Sequence, residues 1–403
     1  MNFSNDDNNN INKTILITND DNNNINKTIL NELSYDILNE IISYMVNKND
    51  ILIFYNLNKY TMNYKYDTYY YNFNVVYSLK YYNDNDYRNY VQTKVNTLQR
   101  MSLNYFKNDN INDINRLDNV HALYLSKCSN IIDVQTKYVS ILDCSYTSIE
   151  DLNNIICYNL HTLDLTGCDL SNNDDLSCLN GINNVNLCKT NVSDVSSLSH
   201  INILNLSHNK LITDFSMLGG IYELDLSHTN IKDKDLKYLS NVHTLILKST
   251  DITNVNDLIH NTTLDLSITL VTDVSSLSRS DTLYSLNLSD TKVIDVNVLS
   301  KIKTLQILIL DNCRSIINVN DLGKLTCLRL SATNVKDIFM LGNVNTLDLS
   351  YCSNIHDVSC LKNVKKLILT GNGKLDTSML NANAIICNSN LNVQNIEVEG
   401  NVD

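Results

Sequence analysis

The chain has 403 residues, 43% of them hydrophobic, and contains neither proline nor tryptophan. Its formal charge of −13 argues against nucleic acid as a partner, because that binding needs basic surface to replace phosphate counterions. No apolar leader opens the sequence, and no run approaches the ~18 apolar residues of a membrane span, so neither secretion nor a bilayer is expected.

The missing proline and tryptophan need GC-containing codons, so residue frequencies here reflect coding bias and spacing carries the information. Eleven cysteines, an odd number, fall mostly inside periodic segments at positions expected to be buried or half-buried. They read as reduced packing residues of an intracellular protein.

Residues 1–28 are polar and contain the stretch NDDNNNINKTIL twice, at 5–16 and at 19–30. So little apolar surface cannot offset ordering entropy, and disorder is expected. Residues 29–64 are different. In LNELSYDILNEIISYM the apolar Ile37, Leu38, Ile41, Ile42 and Met45 recur at helical spacing, with Ser34 as N-cap and Asp36 in the first turn. A polar VNKN break precedes a second helix, DILIFYNLNKY, with Asp50 as its cap. Residues 65–98 are Tyr-rich and helical in pattern, forming a linker or an N-terminal cap for the periodic region after them.

From 99 to 382 the sequence repeats. Units such as VHTLILKSTDITNVNDL (242–258) share the frame L-x-L-x-x-T/N/C-x-I-x-D-V-x-x-L. The first residues of the L-x-L pairs are Met101, Leu123, Leu142, Leu163, Val185, Leu204, Leu224, Leu245, Leu264, Leu286, Leu308, Leu328, Leu347 and Leu367, fourteen units spaced by 19 to 22 residues. Residues 383–403 hold a degenerate last repeat and a C-terminal cap. Alternation in L-x-L puts both leucines on one face of a short strand, and parallel stacking of such strands makes one continuous core. A period near 20 is too short for a return helix, so 3₁₀ or extended turns are expected, capped by Asp194, Asp273, Asp295 and Asp357. The residue after each strand is Thr in seven units and Cys or Asn in six. The next inward aliphatic comes two residues after each Thr, and three after each Cys or Asn except Cys168, which predicts two turn variants.

These repeats resemble leucine-rich repeats. The resemblance implies an α/β leucine-rich-repeat solenoid: a curved parallel sheet on the concave face, short 3₁₀ or extended convex segments, and a small α-helical segment ahead of it. It also implies that Asn or Cys after the strand packs inside and bonds the neighbouring turn's backbone. Residues 29–64 resemble an F-box. Leu33 matches the motif's Leu, Ile41 its Ile eight residues on, and Met45 the Leu four later; Leu57, Asn58 and Lys59 match its Val-Ser-Lys part. Ser34 stands where the motif has Pro, and Thr61 where it has Trp. An F-box before leucine-rich repeats, in an AT-rich sequence, resembles proteins of giant viruses of amoebae or AT-rich protists. That resemblance implies a non-catalytic substrate-recognition subunit of a Skp–cullin–F-box ubiquitin ligase. Leu33, Ser34, Ile37, Ile41, Met45, Leu52 and Leu57 would bind the Skp-family adaptor and so the cullin, and the repeats would hold a target protein. The alternative is a protein-interaction scaffold without a ubiquitin link, whose N-terminal helices only cap the array.

The sequence carries no Gly-rich phosphate loop, no paired Cys-x-x-Cys and no HExxH, so no catalytic activity, cofactor or metal is expected. His208 and His228 occupy equivalent positions one rung apart. The residue between the paired leucines forms the central column of the concave face and is usually Asp or Asn. Ile246 and Ile309 interrupt it, with Ile307 beside them, Ile268 at a strand edge, and Arg329 one rung on. Aliphatics with an Arg amid a polar face predict a target-binding patch at Ile246, Ile268, Ile307, Ile309 and Arg329. Acidic rungs on either side favour basic segments of the target.

Overall fold

The computed structural model describes residues 72–380, apart from 74, 94–97, 105–113, 115–116, 118, 174, 373–374, 376 and 379. The F-box-like residues Leu33, Ser34, Ile37, Ile41, Met45, Leu52 and Leu57 lie outside the described residues, as do 1–28 and 383–403. The chain divides into two compact units, one reaching residue 149 and including 153–164, the other 150–152 with 165 onward.

The first unit contains β1 (Asn72–Phe73), α1 (Val75–Asn83), α2 (Asn85–Gln92), β2 (Leu98–Ser102), β3 (Val120–Tyr124), β4 (Val134–Thr136), β5 (Ile141–Asp143), β6 (Ile155–Cys157) and β7 (Thr162–Asp164). The Tyr-rich segment therefore forms two short helices. Asp84 caps the second by accepting from the Tyr87 N–H at 2.9 Å. Phe73 meets Tyr81 edge-on at 5.7 Å, and buried Arg88 donates to the carbonyls of Tyr81 and Tyr82, both at 2.7 Å. These contacts hold the helices against the sheet edge, where β1 pairs in parallel with β2. From there Met101, Leu123, Leu142 and Leu163 are successive register partners through β3, β5 and β7. A second, two-stranded sheet pairs β4 with β6 in parallel.

The second unit stacks ten strands in chain order: β8 (Asn184–Asn186), β9 (Ile203–Asn205), β10 (Glu223–Asp225), β11 (Thr244–Ile246), β12 (Thr263–Asp265), β13 (Ser285–Asn287), β14 (Ile307–Ile309), β15 (Cys327–Arg329), β16 (Thr346–Asp348) and β17 (Lys366–Ile368). Every pairing is parallel. Val185, Leu204, Leu224 and Leu245 are register partners, and the column continues without a slip to Leu367. The first residue of every L-x-L pair is at most 3% exposed. A slip of one residue would turn each leucine to the open face, which is why the register is so regular.

The return segments are 3₁₀ turns, among them Ser196–His200, Ser275–Arg279, Asn297–Lys301 and Ser359–Leu361. Each buries one leucine: Leu198, Leu277, Leu299 and Leu361. The expected Asp caps are present one residue earlier than a strict N-cap. Asp194, Asp273, Asp295 and Asp357 each accept from the N–H two residues on, at 2.8–2.9 Å. That bond holds the carboxyls of Asp194, Asp214 and Asp337 below the usual carboxylate range.

Candidate functional site

Under the open sheet face runs a buried polar ladder at the position just past each strand. The Thr residues there bond within their own turns: Thr147, Thr190, Thr229, Thr250, Thr269, Thr291 and Thr333 donate to the carbonyl three residues back at 2.6–2.7 Å. Cys and Asn reach the preceding rung instead. Cys128 donates to the Leu103 carbonyl at 3.0 Å, Cys313 to that of Leu288 at 2.9 Å, and Cys352 to that of Leu330 at 3.0 Å. Asn372 bonds the Leu349 carbonyl at 2.7 Å, and Asn209 reaches both ways. The two spacings therefore have a physical cause. Thr closes a short turn and the chain re-enters the core two residues later, at Ile149, Val192, Ile231, Ile252, Val271, Val293 and Val335. Cys or Asn allows one residue more, so Ile131, Ile212, Ile316 and Ile355 enter three later. Both units are stacks of leucine-rich repeats.

Burial pushes the Cys313 and Cys352 thiols up, and the hydroxyls of Thr291 and Thr333 beside them only partly oppose it. These cysteines are structural donors and not nucleophiles.

On the open face of the repeats, the Asp/Asn column has a structural task. Asp143, Asn186, Asn205, Asp225, Asp265, Asn287 and Asp348 each accept from the N–H two residues on, at 2.8–3.1 Å. This Asx turn closes the strand end just before the chain bends. Isoleucine cannot do it. Ile246, Ile309 and Ile368 leave their rungs without that closure, and Arg329 borrows one: the Ser331 N–H is bonded by Asp311 of the preceding rung at 3.1 Å.

The structure brings some predicted residues together and separates others. Ile309 is the register partner of Arg329, and Ile307 lies on the same face two residues before it. Ile246 pairs with Asp225 and Asp265, three strands from Ile309. Across the intervening rungs Asn287 donates to Asp265 at 3.1 Å, so the apolar groups form two islands and not one patch. Ile246, Ile307 and Ile309 are half-buried. At ~4.8 Å between strands, neighbouring side chains cover their flanks.

Arg329 is not a free cation. Its guanidinium meets Asp311 at 2.5 Å and Asp348 at 3.9 Å. Burial nonetheless outweighs the guanidinium at Asp311 and leaves its carboxyl above the usual range. The sequence hid this arrangement because the three residues belong to different rungs, and Asp311 stands two positions off the column that Arg329 and Asp348 share.

Ile268 belongs to the turn, three positions past the column of Ile246, and is 47% exposed. Its φ of 58° is left-handed, and so is that of the equivalent residue in twelve other rungs, from Lys127 (φ 63°) to Gly371 (φ 76°). Ile268 is the sole β-branched residue in that column, where the conformation costs most. At Gly371 a Cβ would meet the exposed Tyr351 ring of the preceding rung, so the ring would have to turn aside. In the same column the rings of His208 and His228 stack with centroids 4.2 Å apart and planes 14° from parallel. Burial, then His228, then Lys189 hold the His208 ring below the usual imidazole range, with Asp225 opposing. Among the described residues no group of three or more His, Cys, Asp or Glu is placed to share a metal ion, and no helix is long and apolar enough to cross a membrane.

No protein-family profile matches the chain, and no curated protein resembles it in sequence. Among solved structures it resembles an internalin (InlF) from Listeria monocytogenes, at 18% identity over 70% of this chain and 82% of that one, with a TM-score of 0.43. It also resembles a leucine-rich-repeat protein of Leptospira interrogans, at 18% identity over 72% and 84%, TM-score 0.47. A third is the functional domain of InlJ from Listeria monocytogenes, which includes a cysteine ladder, at 20% identity over 71% and 68%, TM-score 0.42.

Proposed function

We propose that this chain is a non-catalytic binding protein whose repeats hold a target protein on the open sheet face at Ile246, Ile307 and Ile309. One observation carries the reading. The Asp/Asn column closes its own strand ends, and isoleucine interrupts it where closure is forgone for an apolar group facing outward. A position that gives up a local bond for a half-buried aliphatic on the open face points to a use outside the fold. Ile309→Asp tests this. Target binding is lost if the reading holds, and binding that survives the charge overturns it. Arg329 is a support for Asp311 and Asp348 rather than a hot-spot cation, and Ile268 is a rim residue.

The finer part of the proposal rests on the sequence resemblance of residues 29–64. We infer a substrate receptor of a Skp–cullin–F-box ubiquitin ligase, acting inside the cell. Leu33, Ile37, Ile41, Met45, Leu52 and Leu57 insert into the adaptor, and the repeats present the target for ubiquitination. In a virus such a receptor would redirect the host's ligase. The purified chain mixed with adaptor–cullin forms a complex that Leu33→Lys with Ile41→Lys abolishes. No complex with the unaltered chain, or one indifferent to those changes, leaves a scaffold whose N-terminal helices only cap the array.

A further inference from the structure

The open face offers more than a place to bind. Its two apolar islands have a fixed separation and a fixed charge between them. Ile246 and Ile309 stand in the same column, three strands apart, which is ~14 Å at ~4.8 Å per strand. An extended peptide crossing the rungs advances ~3.3 Å per residue and presents residues i, i+2 and i+4 on one side, so i to i+4 covers ~13 Å. The two rulers match.

Between the islands, one strand from Ile246 and two from Ile309, lies Asp265, whose outer carboxylate oxygen is bonded only through the neutral amide of Asn287. Among the described residues no Lys or Arg is within ion-pair distance of Asp265, while Arg329 is already committed to Asp311 and Asp348. On the strand face of β10 to β16, Glu223, Asp225, Asp265, Asp311 and Asp348 outnumber the cations Lys248 and Arg329. The strand face is therefore short of cations, and Asp265 between the islands has none within ion-pair distance among the described residues.

We propose that the target enters this face as an extended segment with the pattern apolar-x-basic-x-apolar. The two apolar side chains seat on Ile246 and on Ile307 with Ile309, and the Lys or Arg between them meets Asp265. This rests on the reading of the open face as the target site and specifies what it selects.

A phage-displayed random dodecapeptide library panned on the full chain tests it. Parallel pannings on Ile246→Asn, Ile309→Asn and Asp265→Lys give the controls. The two Asn variants restore the residue type that neighbouring rungs carry, so they keep the fold, and thermal unfolding verifies this. The expected result is enrichment of the pattern, with synthetic versions losing at least tenfold in affinity on each Ile variant. On Asp265→Lys the preference moves from a basic to an acidic central residue. Peptides sensitive to Ile246→Asn and Ile309→Asn but without a central base overturn the pattern and leave the binding face standing. Peptides indifferent to both isoleucines overturn the binding face as well, and no enrichment overturns the pattern.

Discussion

Asn209 joins two rungs through one side chain, and its removal has a computable cost. It is fully buried. Its amide donates to the carbonyls of Leu187 at 2.6 Å and Leu206 at 3.0 Å, and its oxygen accepts from the N–H of Thr190 at 3.1 Å. In Asn209→Ala both carbonyls keep other partners, the Thr190 hydroxyl at 2.7 Å and the residue 209 N–H at 3.3 Å. The Thr190 N–H keeps none of its present bonds, and a buried orphan of that kind costs about 1–3 kcal/mol. The void left by the amide adds about 1 kcal/mol, for a total near 3 kcal/mol. With a urea m-value of about 3 kcal/mol/M, the midpoint falls by roughly 1 M. Asn230→Ala is the control, because that exposed amide makes one bond, to the Lys210 carbonyl at 2.7 Å, and its loss costs under ~0.5 kcal/mol. Equal shifts for the two variants would refute the ladder as a stabilising element.

Local geometry sets two more outcomes. A folded-state imidazole pKa below the unfolded value means that the unfolded chain binds more protons, so His208 contributes stability that is lost as pH falls from about 6.5 toward the folded value. Urea midpoints measured from pH 7.5 to 5.5 should fall for the unaltered chain and fall less for His208→Gln; an unchanged slope contradicts the stacked-pair account. Gly323 sits where a Cβ would collide with the Met340 carbonyl of the next 3₁₀ turn, so Gly323→Ala should cost about 1–3 kcal/mol by thermal unfolding. A neutral result would show that successive turns can part without cost.

Much of this architecture is legible from spacing because one physical demand recurs in every rung. Within each unit the first residue of every L-x-L pair must face that unit's core, so a period read from sequence also gives strand register and rung count. The Thr and Cys/Asn classes are equally visible, since the added residue before Ile316 or Ile355 changes the spacing itself. Site features depend on relations between rungs, which spacing within a rung does not encode. Arg329 looks like a lone cation in the sequence because Asp311 and Asp348 lie 18 and 19 residues away. The single Asp residues of the open face look like candidate contacts, yet their bonds to N–H groups two residues on make them turn closures. The left-handed column has no sequence signature because its members, from His208 to Tyr351, share a backbone conformation and no side-chain chemistry. The interruption itself stands, and it has a reason: Ile246 and Ile309 forgo a bond that their neighbours make.

The most direct test of the binding face places a photo-crosslinking amino acid at residue 309 and, separately, at residue 186, where Asn186 makes the ordinary turn closure. In cells that express the chain, irradiation should give a discrete crosslinked partner from position 309. Position 186 should give none, and Ile307→Asp should erase the product. Equal products from the two positions, or a product at 309 that Ile307→Asp leaves intact, would contradict the assignment of this face as the target site.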